Sequence, residues 1–65
     1  MDSKKIGDKL TKLRGNKSQS EVAKACNISV SAICMYETGE RIPRDEIKVR
    51  LARYYNVTVE SIFYT

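Results

Sequence analysis

The side chains able to do chemistry in this 65-residue chain are twelve Lys and Arg, eight Asp and Glu, two Cys and no His. A nucleophile needs a base beside it, and Cys26 and Cys34 have no imidazole to serve them. The carboxylates are dispersed along what read as exposed helix faces, and no glycine-rich phosphate loop follows a strand, so enzymatic catalysis has no footing. Without histidine or a Cys-x-x-Cys spacing no metal site is expected either, and no cofactor is called for. Cys26 falls on an apolar stripe and reads as a small core residue, while Cys34 falls on an exposed side, where a redox switch is conceivable. What remains is chemistry directed at anions.

The net charge of +4 and the isoelectric point near 9.3 suit an anionic partner. Residues 1–24 carry seven basic groups against three acidic, and the remainder carries five of each. The excess therefore belongs to the first third of the chain. Lys5 and Lys9 read as solvated helix surface, whereas Lys17 and Lys24 flank or follow a helix start and are candidates for phosphate contact. Sixty-five residues make one small domain, 1–65, with a modest core and no room for an enzyme-sized cavity. No internal repeat, linker, signal peptide or membrane-length apolar run is visible, which leads us to expect a cytoplasmic protein with no membrane partner.

The elements that must position these groups are all helical. Ser18 with Glu21 three residues on is a capping box, so a helix starts after Ser18. Val22, Ala23 and Cys26 share one face of it, and Asn27, which tolerates the left-handed region, stops it. Ser29 caps a second helix with Ile33 and Tyr36 on its buried stripe, Ala32 small at the crossing and Gly39 at its end. Ahead of this helix-turn-helix pattern, Ile6, Leu10 and Leu13 mark a helix near Ser3 to Arg14. Behind it, Glu40 to Pro43 form a loop, and Pro43 sets the start of a helix with Asp45 and Glu46 at its positive end. That helix runs through Ile47, Leu51, Ala52, Tyr54 and Tyr55 to Asn56. A last short one, Val59 to Phe63, is capped by Thr58.

Leu13-Arg14, Ser18-Gln19, Glu21-Val22-Ala23, Ile28-Ser29, Ile33, Tyr36-Glu37, Gly39, Pro43, Leu51-Ala52, Tyr55-Asn56-Val57 and Ile62, in that order, resemble the lambda-repressor-like (Cro and Xre) family of bacterial and phage DNA-binding regulators. The resemblance covers Ile6 to Phe63. It implies an all-α, compact five-helix domain with the helix-turn-helix at helices 2 and 3, and double-stranded DNA as partner. The chain departs from the family at Asn27, where glycine is common, at the short connection Gly15-Asn16-Lys17, and on the reading helix, where Val30, Ser31, Cys34 and Met35 replace the usual amides and arginines.

In this motif the second helix of the pair, here Val30 to Thr38, lies in the major groove. Helical geometry turns Val30, Ser31, Cys34, Met35 and Thr38 outward. The resemblance assigns base edges to Val30, Ser31 and Met35; two of these are apolar, so thymine methyl contacts and an A·T-rich operator are expected. Lys17, Gln19, Lys24, Ser29, Arg41 and Arg44 are expected on the DNA backbone, Gln19 also because it stands at a helix amino terminus. The resemblance further implies an internal ion pair between Arg14 and Glu37. One recognition helix discriminates too few base pairs, so a homodimer on a palindromic operator is expected, with Val59, Ile62, Phe63 and Tyr64 at its interface. A repressor fits this reading best. The alternative is an antitoxin or protein-interaction adapter of the same fold, with a toxin or protein antagonist as partner.

Overall fold

The computed structural model describes residues 2–64, which form five helices and, among the described residues, no strand. They are α1 (Ser3–Arg14), α2 (Gln19–Cys26), α3 (Val30–Thr38), α4 (Asp45–Tyr55) and α5 (Val59–Phe63). Local chemistry sets most of the ends. Asp2 caps α1 by accepting from the Lys4 and Lys5 N–H groups, and Ser18, Ser29 and Thr58 each accept from the N–H three residues on. Asn27, Gly39 and Asn56 close α2, α3 and α4 in the left-handed region. After each of them the next N–H returns to a carbonyl inside the helix: Ile28 to Ala23, Glu40 to Met35 and Val57 to Ala52. Pro43 stands two residues ahead of α4 and is buried; Arg44 is the N-cap residue.

The core gathers one stripe from every helix: Ile6 and Leu10 from α1, Val22, Ala23 and Cys26 from α2, Ile33 from α3, Ile47, Leu51 and Ala52 from α4, and Ile62 and Phe63 from α5. Leu10, Leu51, Ile62 and Val22 are the largest side chains fully out of water. Burial of each contributes about 1.5–3 kcal/mol. Two of the four residues expected at a dimer surface lie inside this core. Ile62 and Phe63 are 2% and 3% exposed and complete the core of their own chain, and Val59 packs against it. Tyr64 alone of the four is open, and its hydroxyl accepts from Lys48 at 2.9 Å.

Lys48 itself is buried on α4, its ammonium lying 5.6 Å from the Phe63 ring centroid and 4.9 Å from that of Tyr64. Its partners outweigh its desolvation, and its pKa is raised, chiefly by the Tyr64 hydrogen bond.

α1 and α3 approach closely enough to leave no room for a side chain between their backbones. A methyl group at Gly7 would overlap the Glu37 carbonyl oxygen. A helix-interior glycine costs about 1 kcal/mol relative to alanine in propensity, so its presence here reflects that contact. Gly7→Ala should therefore destabilise despite the better propensity, by about 1–3 kcal/mol, seen as a lower urea midpoint; an unchanged or raised midpoint would show that the seam can open freely.

Tyr55 is half-buried beside Glu37, and burial first and the carboxylate second push its phenol up to about 12. The folded state then holds a proton that the unfolded chain, ionising near pH 10, gives up. Stability is fully present below about pH 10 and falls as pH rises toward about 12. Lys48 adds a loss of the same sign. Tyr55→Phe should show a shallower decline over that window than wild type in urea titrations at stepped pH, and parallel curves would remove Tyr55 from the alkaline transition.

Candidate nucleic-acid interface

Three residues join α2 to α3. Asn27, at φ 58° and ψ 47°, reverses the chain, its N–H reaches the Lys24 carbonyl at 3.2 Å, and that of Ile28 reaches Ala23 at 2.9 Å. Ser29 then starts α3 by accepting from the Ala32 N–H at 3.0 Å. Polar groups of the turn are thus satisfied internally, which gives the pair a fixed geometry.

Of the nine residues in α3 only Ile33 is fully buried. Val30 is 45% exposed, Ser31, Cys34 and Thr38 are exposed, and Met35 is half-buried. The expected reading positions therefore divide: Val30 and Ser31 stand clear at the amino end, while Met35 offers part of its side chain one turn later. The apolar, weakly polar surface they make suits methyl groups better than paired donors and acceptors.

At the amino end of α3 the structure brings Ser29, Arg41 and Arg44 to one cleft of about 380 Å³, whose walls include Tyr36 and Ile42. The two arginines and Ser29 are exposed. The loop that carries the arginines is tied to α3, because the Glu40 and Arg41 N–H groups both donate to the Met35 carbonyl, at 2.9 and 3.3 Å. The sequence reading missed Ile42, which is 40% exposed in this cleft. Its signal was an aliphatic residue beside Pro43 with no helical partner.

The other expected backbone contacts lie on α2 and just before it. Lys17 is exposed, with its ammonium 5.8 Å from the Tyr54 ring centroid, and Lys24 is exposed on α2. Gln19, the first residue of α2, is half-buried, and its amide donates to Glu37 Oε1 at 3.0 Å. An amide nitrogen has two N–H donors, so this bond leaves Gln19 a second one for an anion.

Glu37 is the junction behind this face. Arg14 Nε donates to its Oε2 at 2.7 Å and Arg14 Nη2 to its Oε1 at 3.1 Å, a two-pronged pair with side chains 20% and 6% exposed. Arg14 Nη1 also donates to the Lys17 carbonyl at 2.8 Å. One guanidinium and one carboxylate thus link α1, the connection to α2, the first residue of α2 and the last turn of α3. The hydrogen bond to Glu37 holds the Arg14 pKa above its ordinary value.

Among the described residues no group of His, Cys, Asp or Glu could hold a metal ion, and no helix is long and apolar enough to cross a membrane. Cys26 is buried, with its thiol pushed up by burial, and Cys34 is exposed.

A search of curated proteins returns no significant match. A family model described as helix-turn-helix matches residues 10–62, from Leu10 in α1 to Ile62 in α5, and so takes in the whole turn and both helices around it. With that span and this five-helix geometry together, the chain belongs to the Cro/C1-type helix-turn-helix family of DNA-binding transcription regulators.

Proposed function

We propose that the protein is a homodimeric repressor that reads duplex DNA with α3. The observation that carries this reading is the surface of α3 itself: eight of its nine residues escape full burial, while groups suited to phosphate flank it on both sides. Val30 and the open part of Met35 make apolar contact with thymine methyls, and Ser31 donates or accepts beside them. The operator is accordingly rich in A·T pairs at those positions. Ser29, Arg41 and Arg44 hold one strand's phosphates from the cleft at the start of α3. Gln19, Lys17 and Lys24 hold phosphates at α2, helped by the free N–H groups and positive dipole end of that helix.

Pairing supports the same reading through arithmetic. A single recognition helix touches a few base pairs, and each mismatch costs about 1–3 kcal/mol, which is too little against a genome of competing sites. Two copies related by a two-fold axis would place their α3 helices one turn of DNA apart, roughly 34 Å. A small cytoplasmic regulator of this kind blocks transcription by occupying its operator.

Selection from a random duplex pool, followed by titration on the selected site, tests the assignment. Wild type should recover a palindrome, and Val30→Ala should shift base preference at one position per half-site by about 1 kcal/mol. A motif unchanged by Val30→Ala and Met35→Ala would remove both from the base edges. Arg41→Ala and Arg44→Ala should instead weaken every sequence alike and lower the salt slope by about one each. Affinity that stays flat between low and physiological salt would contradict phosphate anchoring altogether.

A further inference from the structure

The outward face of α3 carries no charged or amide side chain. Val30, Ser31, Cys34, Met35 and Thr38 share an arc of about 140° at 3.6 residues per turn. Glu37, the one charged residue of the helix, lies outside that arc, with its side chain 6% exposed and both carboxylate oxygens engaged by Arg14. Bidentate recognition of guanine or adenine takes a guanidinium, an ammonium or an amide, and the arc has none of them.

Its polar groups are permissive. Ser31 has an exposed hydroxyl, which donates or accepts, and the thiol of exposed Cys34 is weak in either role. Thr38 stands at the far end of the helix, where its hydroxyl donates to the Met35 carbonyl at 3.2 Å. Such groups do not separate the O4 acceptor of thymine from the N4 donor of cytosine.

The apolar groups are the demanding ones. Val30 is 45% exposed at the start of α3, and Met35 keeps part of its side chain open one turn on. Their hydration is relieved only against another apolar group, and the base edges of the major groove offer one, the methyl on C5 of a pyrimidine. That methyl occupies the same place on thymine and on 5-methylcytosine. Resting on the proposed placement of α3 in the groove, we infer that the helix reads the C5 methyl itself and takes 5-methylcytosine in place of thymine. A C·G pair that carries the methyl is thereby admitted to the operator. The methylation state of the DNA then sets occupancy at a fixed amount of protein, which gives a domain of this size a regulatory input without a ligand-sensing pocket.

Uracil lacks only the methyl of thymine, and cytosine only that of 5-methylcytosine, so two affinity ratios isolate the same group on two different bases. Uracil placed for each thymine of the selected duplex in turn finds the pairs whose methyl matters. At those pairs thymine should bind about fourfold tighter than uracil, as expected for burial of one methyl group. 5-Methylcytosine should exceed cytosine by the same factor and lie within twofold of thymine. In Val30→Ala, a change at an exposed position outside the core, both ratios should fall toward one at one pair per half-site. A preference for thymine over uracil with 5-methylcytosine no better than cytosine would overturn the inference and leave the thymine contacts standing. Equal binding of thymine and uracil at every position would remove methyl reading altogether, while salt-dependent duplex binding remained. Ratios unchanged in both Val30→Ala and Met35→Ala would overturn it as well, since the methyl contact would then lie elsewhere. A chain that selects no duplex would overturn this inference and the DNA reading together.

Discussion

The contact of Gly7 with the backbone of Tyr36 and Glu37 is the constraint on which the arrangement of the other elements depends. It presses α1 against the last turn of α3 so closely that only a residue without a side chain fits. Two turns further along α1, Arg14 then lies within reach of the same glutamate, and the pair forms at 2.7 Å. Once Glu37 is fixed it collects Gln19, the first residue of α2, at 3.0 Å. A steric contact thereby positions an ionic one, and the ionic one orients the amino terminus of the neighbouring helix. The recognition helix is held from behind by its end.

That mode of support explains why α3 can be so sparsely buried. α4 sinks Ile47, Lys48, Leu51 and Ala52, whereas α3 sinks only Ile33. A helix held mainly by apolar burial would have to give more of its circumference to the core. Here the seam with α1, the three-residue turn after α2 and the returning loop at Glu40 and Arg41 fix α3 through backbone and charge. Its remaining circumference is free for a ligand. On the proposed reading, stability and recognition are drawn from different faces of the same nine residues.

The elements were legible in the sequence where their causes are local. Ser18, Ser29 and Thr58 cap by bonding within their own helices, and Asn27, Gly39 and Asn56 stop helices through their own backbone preference, so neighbouring residues suffice to read them. The outward positions of α3 follow from helical geometry once its limits are known, although the degree of exposure of Met35 does not. Causes that lie across the fold were not legible. Ile62 and Phe63 read as spare apolar surface because a five-residue helix shows nothing of the gap between α1 and α4 that it fills. Nothing beside Lys48 in the sequence marks it for burial, since only the rings of Phe63 and Tyr64 reveal why its stem is buried. Gly7 is marked only by being a glycine inside a helix, and the bond from Gln19 to Glu37 joins residues whose proximity depends on the turn between them. The resemblance supplied the ion pair, which spacing alone would not have shown.

Arg14 and Glu37 frame the helix pair, and α3 is the helix proposed to read the duplex. A double-mutant cycle with Arg14→Ala, Glu37→Ala and the pair, followed by urea unfolding and by duplex titration corrected for folded fraction, tests this division of roles most directly. Either single change should cost about 2 kcal/mol, because it strands one charge of a mostly buried pair, and the double change should cost less than the sum of the singles. The folded fraction of each variant should bind its selected duplex with nearly wild-type affinity. Unchanged unfolding together with lost DNA binding in Arg14→Ala would instead place that guanidinium on the phosphate backbone.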